Sequence, residues 1–354
     1  MTTTPLDIEP GYTALRQGAG IIPRHELGRL RLTGADRADL LHRTSTGDLR
    51  GLAAGAGAQT IIQTETAKVI DWLAVYERGQ DMLVVAGPGR GAEAAAWIDK
   101  IVIMDDVTVE DITATTGLLE ICGPLAADVA AGLAGEAARA LAPHSHITFE
   151  LGGGAITLAA GRPPEPPYFR IIAPLAALDV LIQRLGELGA VPASASAAEA
   201  LRAELGVPAV GHELTLDANP LEARLHKSIS FDKGCYTGQE VIAKMITYKS
   251  TKRTLVGYRL PDGVSAPSLD HWHPVRQGSE VVGRLTTVAW SPGLQHWIGL
   301  GLLKTQCATP GTRLRVDPAN HPVGGGPKLG ANAADVVSDS GFEIVTAALP
   351  FDLS

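Results

Sequence analysis

The stretch AQTIIQTETAKVIDWLAVYERGQDMLVVAG, residues 58–87, decides the fold class. It predicts strands separated by polar turns, and residues 78–81 join the last two strands as a hairpin. The following GAEAAAWIDKI, residues 91–101, predicts a helix. Blocks of strand, helix and strand alternate with such hairpins over the first 250 residues or so. This pattern predicts α+β domains with antiparallel sheets rather than one doubly wound parallel sheet.

The character of the chain changes near residue 250. Segments such as RTLVGYRL (253–260), SEVVGRLTTVAW (279–290) and HWIGLGLLK (296–304) are short, rich in β-forming residues and separated by Gly and Pro. Helical periodicity is nearly absent there. Short strands at regular spacing are typical of a small barrel or sandwich, so we expect a C-terminal β-domain.

Composition excludes several classes of protein. The 354 residues are 45% hydrophobic and 19% charged, with a net charge of −8. No run of Lys or Arg is long enough to neutralise a row of phosphates, and no stretch reaches the roughly 18 apolar residues of a membrane span. We therefore expect a cytoplasmic protein that binds neither nucleic acid nor membrane. The three cysteines are widely spaced, which argues against disulfides and against a self-contained metal site.

The phrase FDKGCYTGQE, residues 231–240, concentrates reactive side chains around Cys235. Residues 237–240 have the T-x-x-E form of a capping box and predict a helix that begins near Gly238. Its positive end, together with Lys233, would favour the thiolate form of Cys235. Gly234 would allow a ligand to approach closely. The alternative is a plain glycine turn, and spacing alone does not choose between the two.

A second informative stretch is LRAELGVPAVGHELTLDANPLEARL, residues 201–225. A helix ends at residues 206–208, and a polar loop leads to Glu222 in an apolar setting. This glutamate is either a residue that caps a helix start or an anchor for a ligand with paired N–H donors, such as a pterin ring. The local pattern leaves both interpretations open.

KGCYTGQE, residues 233–240, resembles the signature of the YgfZ-type folate-binding proteins, which are relatives of the glycine cleavage T-protein. LTGADRADLLHRTSTGDLRGLAAGAG, LRAELGVPAVGHEL with NPLEARL, and GRLTTVAWSPGLQHWIGLGLL are similar to further segments of that superfamily. The resemblance runs from about Leu27 to Leu303. It implies a T-protein-like arrangement of three α+β and β-barrel domains around a central folate cavity.

The resemblance also implies domain boundaries and site residues. Residues 1–48 and 116–250 would form a discontinuous folate-binding domain, residues 49–115 a second α+β domain, and residues 251–354 the barrel. Cys235, Lys233 and Asp71 would be catalytic. Tetrahydrofolate would be the cofactor, with Glu222 holding its pterin ring. The other expected folate-binding residues are Gly234, Tyr236, Gln239 and Glu240.

Two departures from the family pattern bear on activity. T-proteins that transfer an aminomethyl group typically carry an Asp-Asp pair, where this chain has Asp71 followed by Trp72. The signature often continues into arginine, where this chain has Lys244, and a point charge then replaces a planar fork. The first departure argues against aminomethyl transfer, because methylene transfer needs a carboxylate beside the reacting folate nitrogens.

Three functions follow as hypotheses. The leading one is a tetrahydrofolate-binding accessory protein that supports iron–sulfur cluster assembly or repair. Its reactive Cys235 would face the folate cavity, and its partners would be iron–sulfur client or assembly proteins. The alternative is a folate-dependent aminomethyltransferase or demethylase that uses Asp71. The third is a scaffold that binds no folate and docks a partner through its barrel.

Overall fold

The computed structural model describes residues 9–161, 168–261, 271–317, 321–322 and 341–353. Short 3-10 helices lie at Glu136–Ala138, Leu175–Ala177, His226–Ser228 and Thr305–Cys307. The α-helices in these ranges are α1 (Glu9–Gln17), α2 (Arg37–Thr44), α3 (Gly91–Ile101), α4 (Ala126–Ala134), α5 (Leu178–Glu187), α6 (Ala195–Leu205) and α7 (Gln239–Thr247).

A six-stranded sheet forms one half of the α+β region. Its strand order is β11-β1-β7-β10-β9-β8, and only the pairing of β1 with β11 is parallel among these described strands. Helices α4 and α5 cover one face through Val129 and Leu181. The strands are β1 (Gly20–Pro23), β7 (Thr116–Cys122), β8 (His146–Leu151), β9 (Gly154–Ala160), β10 (Tyr168–Pro174) and β11 (Val191–Pro192).

A five-stranded antiparallel sheet forms the other half, in the order β3-β4-β5-β2-β6. Helices α2 and α3 cover one face through Leu40 and Ile98. The hairpin predicted at residues 78–81 joins β4 to β5, and the helix predicted at residues 91–101 is α3, so both predictions are confirmed. The strands are β2 (Leu27–Thr33), β3 (Gly57–Gln63), β4 (Val69–Glu77), β5 (Met82–Pro88) and β6 (Thr108–Asp111).

The two sheets pack face to face. Ala74 and Tyr76 of β4 share a buried cluster with Leu118 of β7 and Ile172 of β10. The alternate residue Leu73 points instead into the cluster beneath α2 and α3, as the twofold periodicity of a strand requires. The α+β region is therefore a four-layer stack of helices, sheet, sheet and helices.

The C-terminal region is a closed barrel of six strands, which confirms the predicted small β-barrel. The ring runs β12-β19-β17-β13-β14-β16 and closes where β16 pairs with β12. Its interior holds apolar side chains such as Val256 and Leu303. The ring strands are β12 (Arg253–Arg259), β13 (His271–Gln277), β14 (Glu280–Leu285), β16 (His296–Lys304), β17 (Arg313–Val316) and β19 (Phe342–Ala347), while β15 (Thr287–Ser291) pairs with β16 and β18 (His321–Pro322) with β13.

The predicted division of the α+β region into domains stays a prediction, but one strand bears on it. Strand β2 lies within residues 1–48, assigned to the first domain, and pairs with β5 and β6, which belong to residues 49–115. The sheet formed by residues 49–115 therefore depends on a strand from the N-terminal segment. Hydrogen-bonded sheet neighbours are rarely split between domains, because few contacts cross a domain boundary.

Candidate functional site

Residues 231–238, called here the cysteine loop, lie between the end of α2 and the β3–β4 hairpin. The ammonium of Lys233 donates to the backbone carbonyls of His42 at 2.5 Å and of Ser45 and Gly47 at 2.6 Å each. On the other side, the Gln63 amide donates to the carbonyl of Thr237 at 2.8 Å. The loop is thus fastened at both ends to elements that come from the N-terminal part of the chain.

Helix α7 begins where the sequence predicted, but the predicted capping box is wrong. The N-cap is Gly238, and no side chain caps the helix. Gly238 has φ of +79°, and a Cβ there would lie 2.6 Å from the Thr64 carbonyl oxygen. Close docking against the hairpin therefore requires glycine at the cap, which excludes the threonine. Glu240 instead accepts a bond from Lys244 at 2.6 Å.

Cys235 is exposed, whereas Cys122 and Cys307 are buried. Beside it, the Lys233 ammonium lies 4.9 Å from the centre of the Tyr236 ring. Burial lowers the pKa of Lys233 to about 8, although the charge of Asp48 opposes this shift. That Lys233 favours the thiolate stays a prediction, since its ammonium bonds to the backbone carbonyls of His42, Ser45 and Gly47.

The other predicted folate-binding residues of the signature differ in their surroundings. A Cβ at Gly234 would meet nothing within 4 Å, so the backbone there is open to approach. Tyr236 packs against the buried cluster that includes Ile242 of α7. The side-chain oxygen of Gln239 accepts from the Tyr236 N–H at 3.2 Å. Glu240 is exposed. Of these four residues, Tyr236 and Gln239 therefore bond to each other where the cysteine loop meets α7.

Asp71 is a buried carboxylate on β4. It accepts from the backbone N–H of Trp72 at 2.7 Å and of Gly87 at 3.1 Å, and it lies 3.5 Å from Arg90 Nε. Burial raises its pKa to about 6, although the two N–H groups and Arg90 act in the opposite direction. A carboxyl group with such a pKa exchanges protons near neutral pH, as a general acid or base must.

The neighbouring Trp72 contacts the side of the sheet that meets the cysteine loop. Its indole N–H donates to the Ser228 hydroxyl at 3.0 Å, and its ring packs in the same cluster as Tyr236. The Asp71 carboxylate lies beside β5, where a Cβ at Gly87 would be 3.0 Å from its Oδ1 and 2.8 Å from Val210 of that same cluster. Sequence reasoning noted Trp72 only as a departure from the Asp-Asp pattern.

Glu222 is buried and fully engaged with protein groups. Arg253 of β12 donates to both of its oxygens, at 2.9 and 2.8 Å. Asn219 and Glu222 also cap each other, because the Asn219 side chain accepts from the Glu222 N–H at 3.0 Å and Glu222 accepts from the Asn219 N–H at 3.2 Å. This reciprocal pair is a capping box, so the cap interpretation of Glu222 describes its geometry.

The Glu222 carboxylate keeps little capacity for a ligand. A carboxylate offers about four lone-pair sites, and three bonds are already formed. A two-toothed contact with a pterin ring therefore requires the pair with Arg253 to open. Sequence reasoning missed Arg253, because it lies 31 residues further on, at the first position of the barrel, and no local pattern links the two.

Two further findings concern the described ranges as a whole. None of the helices placed in them combines the length and hydropathy needed to span a bilayer. In the same ranges, no group of three or more His, Cys, Asp or Glu side chains is arranged to hold a metal ion.

Comparison with known proteins agrees with this architecture. Residues 7–156 match the family model of the GCVT N-terminal domain, and residues 253–325 match the glycine cleavage T-protein C-terminal barrel domain. The crystal structure of aminomethyltransferase T of the glycine cleavage system from Bartonella henselae superposes with a TM-score of 0.80, over 99% of this chain and 91% of that one, at 18% identity. That likeness shows a T-protein fold.

Relatives in sequence extend over most of the chain. A chloroplastic protein of Arabidopsis thaliana, provisionally named a transferase, is 32% identical over 307 residues, which is 86% of this chain and 69% of that protein. The aminomethyltransferase of Saccharopolyspora erythraea is 29% identical over 86% of this chain and 84% of its own length. That of Bacillus pumilus is 27% identical over 87% and 86%. The chain belongs to the glycine cleavage T-protein, or aminomethyltransferase-like, family.

Proposed function

We propose that this chain binds tetrahydrofolate and supports the assembly or repair of iron–sulfur clusters in other proteins, with Cys235 as its functional thiol. Family membership supports the folate, and the resemblance of residues 233–240 to the YgfZ-type signature supports the accessory role. The exposed position of Cys235 suits contact with a protein partner. A single cysteine does not hold a cluster unaided, so any cluster contact would be shared with that partner. The cytoplasmic location stays a prediction.

The observation that carries this proposal over one-carbon transfer is that Trp72 of β4 stands where T-proteins typically have the second carboxylate of the Asp-Asp pair. Methylene transfer requires a carboxylate beside the reacting folate nitrogens. On the face that meets the cysteine loop, this chain presents Trp72, whose indole is bonded to Ser228. The remaining carboxylate, Asp71, is engaged by the Gly87 N–H and by Arg90. This arrangement favours binding of folate without turnover.

Two buried side-chain atoms near this region support the folate proposal. Among the described residues, the side-chain oxygen of Gln63 and Nε of Arg90 are buried and form no hydrogen bond, although Arg90 Nε lies 3.5 Å from the Asp71 carboxylate. A pterin ring carries N–H donors for the first and a carbonyl acceptor for the second. When bound, tetrahydrofolate supplies a carrier for one-carbon groups. We therefore add Gln63 to the proposed folate contacts, and we assign to Glu222 at most one further bond while Arg253 remains paired.

A fluorescence titration with tetrahydrofolate tests the folate site. Wild-type protein should bind, and Gln63→Leu should weaken binding about tenfold, since a buried donor of the ligand would lose its acceptor. Gln80→Leu is the matched control because it makes the same change at an exposed glutamine in the turn between β4 and β5, and it should bind as wild type does. No binding by the wild type would remove both folate-based hypotheses and leave the scaffold that docks a partner through its barrel.

Complementation of a deletion strain tests the thiol. Cys235→Ser should fail to restore the activity of iron–sulfur enzymes, whereas Cys122→Ala, a change at a buried cysteine, should restore it at equal protein level. Full restoration by Cys235→Ser would contradict the role of the thiol without touching the folate proposal.

The second candidate is a folate-dependent aminomethyltransferase or demethylase. The names of the relatives favour it, and Asp71, with a pKa of about 6, is the group that would act as acid or base. Purified protein that converts tetrahydrofolate and a methylamine donor to methylene-tetrahydrofolate, with loss of turnover in Asp71→Asn, would establish this function and refute the accessory one.

A further inference from the structure

The ammonium of Lys233 is saturated by backbone carbonyls. It carries three N–H donors, and the carbonyls of His42, Ser45 and Gly47 accept one bond each. These acceptors come from one short segment, where α2 ends and turns toward β3. With its donors used in this way, Lys233 is poorly placed to act on a substrate as the catalytic group that the family signature suggested.

The attachment lies close to the thiol in the chain. Cys235 stands two residues after Lys233 and two residues before Thr237, whose carbonyl accepts from Gln63. The next residue, Gly238, is packed against the β3–β4 hairpin. Cys235 therefore sits at the centre of a five-residue span that is tied down at both ends. Between the ties, a Cβ at Gly234 would meet nothing within 4 Å, so the space beside the backbone there is open.

We propose that Lys233 is a positioning residue: its ammonium fastens the cysteine loop to the C-terminal end of α2 and so fixes where the Cys235 thiol is presented. The proposal rests on the proposed function only for the role of the thiol, and its test requires no iron–sulfur partner. The titratable groups that act on the ammonium are His42, Asp48 and Arg50. The face of the Tyr236 ring also lies next to it.

The arrangement of acceptors explains the choice of lysine. An ammonium is a compact charge whose three donors diverge, so it can meet three carbonyls that surround it. The guanidinium of arginine is a planar fork and satisfies such a set less completely. Lys233→Arg should therefore keep the charge and part of the attachment, while Lys233→Met keeps most of the length of the side chain and loses both.

A nitroxide spin label on Cys235 tests the proposal in the full-length protein. Cys235 is the exposed cysteine, and Cys122 and Cys307 are buried, so labelling of native protein reports on the loop. Electron paramagnetic resonance should show a restricted label in wild type, a mobile label in Lys233→Met and an intermediate one in Lys233→Arg. Lys227→Met is the matched control because Lys227 is an exposed lysine of the same segment, and it should match wild type.

Hydrogen exchange of unlabelled protein provides the second measurement. Amides of residues 234–238 should exchange at least about tenfold faster in Lys233→Met than in wild type. A tenfold change corresponds to the free energy of one hydrogen bond to a charged group. Barrel strands β12 and β16 should be unchanged. Exchange and label mobility equal to those of Lys227→Met would overturn the proposal.

Lys233→Arg decides the question if Lys233→Met does not fold. Faster exchange confined to residues 234–238 would support the proposal, and exchange equal to wild type would refute it. These results are independent of complementation by Cys235→Ser, so a failure of the proposed function and a failure of the attachment can be told apart.

Discussion

Replacement of Asp71 by asparagine tests whether the folded protein disfavours the ionised form of this buried carboxyl group. The side chain is only 1% exposed, and burial raises its pKa from 3.8 to about 6. Asparagine has nearly the same shape and keeps an oxygen for the N–H groups of Trp72 and Gly87. The variant therefore removes the titration and the attraction to Arg90 while it preserves the packing.

The sign of the pH dependence follows from the direction of the shift. Because the pKa of the folded state is higher than that of the unfolded state, folded Asp71 keeps a proton between about pH 4 and pH 6 that the unfolded chain has released. The contribution of this group to stability is therefore complete below about pH 4 and is lost as the pH rises through about 6. A pKa difference of this size corresponds to about 3 kcal/mol.

Urea unfolding, followed by tryptophan fluorescence from pH 4 to pH 8, measures the effect. Over this range the free energy of unfolding of wild type should fall by about 3 kcal/mol relative to that of Asp71→Asn. Other titrating groups contribute equally to both proteins and cancel in the difference. Asp99→Asn, a change at an exposed carboxylate of α3, should follow the wild-type profile.

Parallel profiles for wild type and Asp71→Asn would refute the reasoning. They would mean that Asp71 titrates alike in the folded and unfolded states, so that Arg90 and the two N–H groups offset its burial completely. In that case Asp71 would also lack the pKa near neutrality on which the transferase hypothesis depends.

Three further predictions concern stability. Glu222→Gln should lower the free energy of unfolding by about 3 to 5 kcal/mol, because it leaves the charge of the buried Arg253 uncompensated. The double variant Glu222→Met/Arg253→Met should recover most of this loss. A double variant that is no more stable in urea than the single variant would contradict the ion pair. Gly238→Ala should lower the free energy of unfolding by about 1 to 3 kcal/mol, because residue 238 has a positive φ and a Cβ there would meet the hairpin. Gly234→Ala should change the melting temperature little. Equal melting temperatures of the two variants would show that the loop tolerates a side chain at both positions. Ser194→Ala should cost about 1 kcal/mol, because the serine hydroxyl caps α6 at the Ala197 N–H; an unchanged unfolding midpoint would exclude that cap.

Local patterns predicted the elements of this fold well. Alternation of apolar residues and regular turn residues predicted the hairpin between β4 and β5 and the β-rich barrel. The end of α6 depends on Gly206, which has φ of +67°. Such signals act over a few residues, so they are visible in the sequence alone.

The partners of the site residues were not predictable in the same way. Lys233 bonds to a carbonyl 191 residues away, and Glu222 pairs with an arginine from the barrel. Both contacts arise only when the layers and the barrel assemble. The same assembly docks Gly238 against the hairpin and prevents the capping box expected at residues 237–240, whereas the capping box at Asn219 and Glu222 forms within a single turn.

The superfamily segment of residues 201–214 illustrates what a family match does and does not imply. Arg202 donates to Glu213 at 3.1 Å and to Thr287 of β15 at 2.6 Å. Glu204 accepts from Tyr12 of α1 and from Ser291 of β15. These buried charges join α6 to the barrel and so stabilise this architecture whatever reaction the chain performs. The match therefore argues for the T-protein fold, while the choice between folate binding and one-carbon transfer depends on β4, where Trp72 stands in place of the second carboxylate of the Asp-Asp pair.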